Sequence, residues 1–229
     1  VKCPECASVF DQCTQPLLSF DVKPRELYCD LHVHSNYSVD GVYSPEDILR
    51  RASERGLDVL AITDHDCCEA YLPNVELAGS LSIRLLPGVE ISTAKYHLLA
   101  LNFDPADEDF TEFLRYPNLV RYPAVAEVVA LVHAAGGLVG IAHPPKDIED
   151  LSELDALVDA GLDFLEVRPL DTKRDYRPFE AFAKNHGLPV SYGSDFHDDS
   201  RELLGRGVNR MSQALVDTLN LGFGKIPFD

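Results

Sequence analysis

From Tyr28 onward the chain alternates short apolar runs with longer stretches that carry an apolar stripe on one face only. Few folds accept that alternation. Runs too short for helices read as buried strands, and the striped stretches between them read as amphipathic helices covering a sheet. The runs at 27–33, 59–63, 84–91, 97–103, 138–142, 164–167 and 190–192 are the predicted strands. Ser44-Pro45-Glu46-Asp47 has the form of a helix start, with a serine cap, a proline in the first turn and acids at the positive dipole end. Gly56 closes that helix. Further helices are predicted over 122–135, 151–160 and 177–185, closed by Gly136-Gly137, Gly161 and Gly187, and over 211–221. Only 104–123 reads as an irregular acidic and aromatic insertion.

Repeated strand–helix–strand units imply a parallel sheet with helices outside, and seven strands on short connections predict a closed or nearly closed α/β barrel. This domain is expected over 28–229. Residues 1–27 read as a cysteine-containing appendage and linker. There, Cys3-Pro4-Glu5-Cys6 followed by Cys13 has the pattern of a zinc knuckle, with Cys29 as a conceivable fourth ligand, against the plainer reading of ordinary thiols.

The acidic balance narrows the function. A net charge of −18 repels phosphate backbones and anionic lipid, so neither an extended nucleic-acid surface nor a membrane surface is expected. The most apolar stretch, 125–142, holds Glu127, His133 and Gly136-Gly137, which reads as a helix and a strand and not a membrane span. No export signal is evident, so a cytoplasmic protein with reduced thiols is expected. The P-loop pattern and the G-x-S-x-G elbow are missing, and Gly205-Arg206-Gly207 and Gly222-Phe223-Gly224 lack the third glycine of a dinucleotide fingerprint.

The histidines and acids carry the chemistry, because most of them end or open an apolar run. His32 and His34 are two apart on one strand and so share a face. Asp40 follows in the loop, His65 follows the second run, Glu90 ends the third and His97 opens the fourth. His143 follows the fifth run, Glu166 lies in the sixth, and Asp195 and His197 follow the seventh. In a parallel barrel the carboxyl ends of the strands share one rim. Imidazole and carboxylate together suit Zn, Mn or Fe, and the set is too large for one ion, which points to two or three divalent metals. Asp64 reads as a group that orients a ligand, Glu166 equally as a site residue or a structural acid, and His133 and His186 as structural or exposed. Arg168 and Lys146 are placed to meet phosphoryl oxygens, with Arg174 and Arg177 less well placed.

Asp30-Leu31-His32-Val33-His34-Ser35, Thr63-Asp64-His65, Gly88-Val89-Glu90, Ala142-His143-Pro144 and Gly193-Ser194-Asp195-Phe196-His197, in this order, resemble the motif set of the PHP (polymerase and histidinol phosphatase) family over about 28–210. The resemblance implies a distorted (β/α)7 barrel with a trinuclear site and phosphoesterase activity, in which a metal-bridged hydroxide attacks phosphorus. It assigns His32, His34, Glu90 and Asp195 to one metal. Asp40, His65 and His197 go to a second, and Glu90, His97 and His143 to a third, with Glu90 bridging. The implied substrate is a small phosphorylated molecule: a nucleotide, a nucleoside bisphosphate or a short oligonucleotide. Arg168 would stabilise the transferred group, and His143 or His197 would protonate the leaving group. The alternatives are a histidinol-phosphate phosphatase and a non-catalytic metal-binding sensor.

Overall fold

The computed structural model describes residues 26–115, 122–207 and 209–221. The candidate cysteines Cys3, Cys6 and Cys13, and the appendage up to residue 25, lie outside the described residues.

Strands β1 (Cys29–Val33), β2 (Val59–Ile62) and β3 (Arg84–Leu86) form a parallel three-stranded sheet in that order. Strands β4 (Gly88–Ser92), β5 (His97–Leu101), β6 (Leu138–Ile141), β7 (Phe164–Val167) and β8 (Val190–Tyr192) form a second sheet, also in sequence order. Its β4–β5 and β5–β6 pairs are antiparallel and its β6–β7 and β7–β8 pairs parallel. The expected single strand over 84–91 is therefore two, split at Pro87. Proline has no N–H to give to a ladder, and the chain changes sheets there. Among the described residues the ladders form these two sheets and not one closed ring. Isolated bridges, Val33 to Phe196 and His65 to Glu90, join sheet edges.

Period-two alternation explains how the two sheets enclose one interior. Val59 and Ala61 of β2, Leu99 and Leu101 of β5, and Phe164 of β7 share one buried cluster with Leu31 and Leu86. Their neighbours face outward. Leu60 and Ile62 pack against helices α1 (Pro45–Glu54) and α2 (Val75–Ser80). Leu98, Ala100 and Leu165 pack beneath α3 (Glu108–Arg115), α4 (Val125–Ala134), α5 (Ser152–Asp159) and α6 (Arg177–His186). Helix α7 (Gln213–Thr218) gives Leu215 and Val216 to the inner cluster.

The helix expectations hold within a few residues at each end. Two helices were not expected: α2, between the second and third runs, and α3, inside the stretch expected to be irregular. Asp107 Oδ1 accepts from the Phe110 N–H at 2.9 Å and starts that helix, which buries Phe110 and Leu114. No helix among the described residues is long and apolar enough to cross a membrane.

Ser44 caps α1 as its sequence suggests, its Oγ accepting from the Asp47 N–H at 3.2 Å. Because α1 buries Ile48, Leu49 and Ala52 against the first sheet, loosening its start is felt globally. Ser44→Ala is expected to lower unfolding stability by about 1 kcal/mol in urea titrations, with the denaturant slope unchanged.

Candidate metal centre

The site grows from the same alternation. On β4, Val89 and Ile91 face the outer helices, so Glu90 between them faces the interior. On β7, Phe164 and Glu166 point inward on either side of the outward Leu165. On β5, His97 continues the inward row of Leu99 and Leu101. Because β5 runs against its neighbours, its first residue lies where β4 ends, and Ser92 pairs with His97.

Glu90 is 1% exposed and is the hub. Its Oε1 meets His97 Nδ1 at 2.9 Å and His143 Nε2 at 3.0 Å. Its Oε2 lies 3.2 Å from His32 Nε2, 3.1 Å from His34 Nε2 and 3.2 Å from His65 Nδ1. Asp195 Oδ1 approaches His32 and His34 Nε2 at 3.6 Å. Asp40 Oδ2 lies 3.2 Å from His197 Nε2 and 3.6 Å from His65 Nε2. All nine residues expected as ligands thus meet in one place. The ligating atoms fall into overlapping groups: His32, His34 and Glu90; His34, Asp40, His65 and His197; and His65, Glu90 and His97.

Surrounding hydrogen bonds set the tautomers. Glu166 Oε1 accepts from His32 Nδ1 at 2.8 Å, which leaves Nε2 for the cluster. Buried Asp64 accepts from the Ser35 N–H and Oγ–H, both at 2.7 Å, and from Ser38 Oγ–H at 2.9 Å. With its hydrogen committed, Ser38 Oγ accepts from His34 Nδ1 at 3.2 Å and from the His65 N–H at 2.9 Å. His34 therefore also turns Nε2 inward. The two Nε2 atoms are 3.0 Å apart. Glu90 Oε2 and His65 Nδ1 are buried without a hydrogen bond despite their close neighbours. Imidazole nitrogens and carboxylate oxygens converging at this spacing, two of them buried without a hydrogen bond, match the donor set of a cation site, so the residues present fit divalent metal ions.

The charges agree. Burial works against an ionised Glu90, yet His32, His143 and His34 hold its pKa well below the ordinary carboxylate value. Burial likewise opposes protonated His32, but Glu166 and Glu90 hold its pKa well above the usual imidazole value. Burial pulls His34 down to about 4, aided by His32 and His197. Protonated His32 and ionised Glu90 thus favour each other, as a positive charge held among these groups would favour ionised Glu90.

Asp64 and Glu166 act through other residues, holding His34, His65 and His32. Arg168 is committed to the site too: Nη1 meets Asp195 Oδ2 at 2.8 Å and Nη2 donates to the Ser194 carbonyl at 3.0 Å. Lys146 is exposed in the short turn after His143 and makes no ion pair among the described residues. Arg177 pairs with Asp175 at 2.7 Å. His133 pairs with Asp163 and His186 with Asp155, both apart from the cluster. Cys29 is fully buried in β1.

Sequence reading passed over Ser38, Asp147 and Arg201. Asp147 Oδ2 lies 3.5 Å from His143 Nδ1, and Arg201 Nη1 lies 2.6 Å from Asp195 Oδ2. Their i+4 spacing from His143 and His197 was the available signal. Asp66, His143 and Asp195 all take left-handed backbone, with φ of 52°, 31° and 55°. Such residues cost about 1–3 kcal/mol each and persist where the surroundings hold them.

A mixed α/β fold carrying this cluster defines a metal-binding α/β protein. The profile of the PHP domain matches residues 30–154, more than half of the chain, and the chain belongs to that family. It is 38% identical over 112 residues to a 5'-3' exoribonuclease of Haemophilus influenzae, covering 47% of this chain and 40% of that protein. It is 33% identical over 111 residues to a 3',5'-nucleoside bisphosphate phosphatase of Chromobacterium violaceum, covering 47% and 39%. The chain thus spans about two fifths of either relative. The fold is similar to that of a candidate metal-dependent phosphoesterase from Bifidobacterium adolescentis, with a TM-score of 0.73 at 21% identity over 87% of this chain and 98% of that one.

Two outcomes are expected. Glu166→Gln, which removes the charged partner of His32, should weaken metal affinity by about 10–100-fold in competition with a chromogenic chelator. Gly193→Ala should reduce metal content and lower stability by about 1–3 kcal/mol, because its Cβ would lie 2.1 Å from Glu166 Oε1 and 2.5 Å from His32 Cβ. Elemental analysis and thermal melts read both.

Proposed function

We propose that this chain is a metal-dependent phosphoesterase that hydrolyses a small phosphate ester, with a nucleotide, nucleoside bisphosphate or short oligonucleotide as substrate. The observation that carries the reading is Glu90, one buried carboxylate whose two oxygens face five imidazoles. The names of the exoribonuclease and bisphosphate phosphatase relatives support the same class. We further propose a trinuclear site holding Mn, Fe or Zn, with the two sheets as an opened form of the distorted (β/α)7 barrel. His32, His34, Glu90 and Asp195 would hold one cation, Asp40, His65 and His197 a second, and Glu90, His97 and His143 a third.

Bound divalent cations supply Lewis-acid polarisation of phosphoryl oxygens and lower the pKa of water to about 7. The chain's own groups do the rest. Glu166 and Ser38 keep the imidazole lone pairs inward. Arg168 keeps Asp195 turned toward His32 and His34, and offers positive charge to the equatorial phosphoryl oxygens. His197 and His143 both turn Nε2 to the cluster, toward Asp40 and Glu90, and a metal-bound Nε2 carries no proton, so both act as ligands in this reading, His197 being the more exposed at 17% against 2%.

The test is turnover of p-nitrophenyl phosphate, its bis-ester, AMP, a nucleoside 3',5'-bisphosphate, a short 5'-phosphorylated RNA and histidinol phosphate by the Mn-, Fe- or Zn-loaded protein. Turnover of the nucleotide substrates, abolished by chelation, is expected. Turnover of histidinol phosphate alone would move the chain to a biosynthetic phosphatase, and no turnover with any metal would make it a sensor. His197→Asn should lower metal content and, with it, kcat by about 100-fold on AMP and p-nitrophenyl phosphate alike, with metal content measured alongside.

A further inference from the structure

Arg168 and Arg201 reach from the cluster into an open cavity of about 430 Å3 beside it, within the roughly 300–1,000 Å3 range of small-molecule sites. Four cations line it, Arg168, Lys173, Arg174 and Arg201, against the acids Asp171 and Glu202. In a chain of net charge −18, a cavity of that sign runs against the overall field. Both acids are already engaged, since Asp171 Oδ2 holds Arg174 at 3.2 Å and Glu202 Oε2 holds Arg55 at 3.0 Å. Lys173 makes no ion pair among the described residues, and its backbone N–H donates to Asp171 Oδ1 at 2.9 Å.

Arg168 adds a second, independent observation. Its side chain is only 9% exposed, it lines the cavity, and its Nε is buried without a partner. The guanidinium of Arg168 puts a fixed, largely buried positive charge at the wall the cavity shares with the cluster, and an anion in the cavity would be drawn to that charge. The carboxylate of Asp195 links the two spaces. Its Oδ1 faces His32 and His34, while its Oδ2 is shared by Arg168 at 2.8 Å and Arg201 at 2.6 Å. Charge that Asp195 gives to the cluster side is charge it no longer offers to the two arginines.

We infer that this cavity is a subsite for a second anionic group of the substrate, a phosphate or phosphodiester covalently joined to the ester that reaches the imidazoles, and that Lys173 and Arg174 determine the preference for doubly anionic substrates. The inference rests on the phosphoesterase reading and narrows its substrate class. Arg174 offers a planar fork for phosphate oxygens, and Lys173 a mobile point charge that draws the group in.

The test replaces two exposed side chains away from the cluster, Lys173→Gln together with Arg174→Gln. The readout is the ratio of kcat/KM for adenosine 3',5'-bisphosphate to kcat/KM for p-nitrophenyl phosphate, measured on metal-loaded protein. The ratio is expected to fall about tenfold or more, the size of one lost charge-assisted hydrogen bond. A ratio that stays within about twofold of the unsubstituted protein's overturns the subsite. Calorimetric titration of the same proteins with inorganic sulfate gives a second reading that needs no turnover. Sulfate affinity should fall about tenfold in the double variant, and an unchanged affinity overturns the subsite. If the unsubstituted protein hydrolyses neither ester, the phosphoesterase reading fails, and the sulfate titration alone decides whether the cavity binds anions.

Discussion

A carboxylate buried as deeply as Glu90 is unfavourable unless positive charge is brought to it, and the molecule brings that charge by convergence. His32 and His34 arrive from the end of β1, His65 from beyond β2, His97 from the start of β5 and His143 from beyond β6. No two neighbouring elements could do this alone. The hub therefore ties the two sheets together, and the bridge between His65 and Glu90 is the backbone expression of the same link.

That convergence depends on a strand running the wrong way. A uniformly parallel arrangement would leave the first residue of a strand at the far end from the last residue of its neighbour. In β5 the reversal brings His97 next to the end of β4, so a strand-opening histidine joins strand-closing ones. The apolar interior below and the polar mouth above are then two stretches of the same inward rows: Leu99 and Leu101 lead to His97, and Phe164 leads to Glu166.

Much of this was legible in the sequence, and what was not has a physical reason. Alternation within strands places Glu90 and Glu166 inward without any structure, and the spacing of His32 and His34 puts both on one face. The reversal of β5 was not legible, because apolar runs carry no mark of direction. Pro87 was a visible signal that 84–91 could not be one uninterrupted ladder strand. Helix α3 was hidden because its acids and aromatics looked irregular, although Asp107 stood at its start as a capping residue. Ser38 could not be singled out, since its role arises from what three-dimensional packing sets around it, between Asp64, His34 and His65, whereas Asp147 offered only its i+4 spacing from His143.

Gly193 stands where β8 ends, with Glu166 and His32 so near that only a hydrogen atom fits between. The approach of β8 to Glu166 and His32 is therefore gauged by the smallest side chain in the alphabet. A methyl group there would act as a wedge, forcing the end of β8 away from β1 and β7 and carrying Ser194, Asp195 and His197 outward together. The closeness of β8 to its two neighbours is a dimension this chain cannot readily vary.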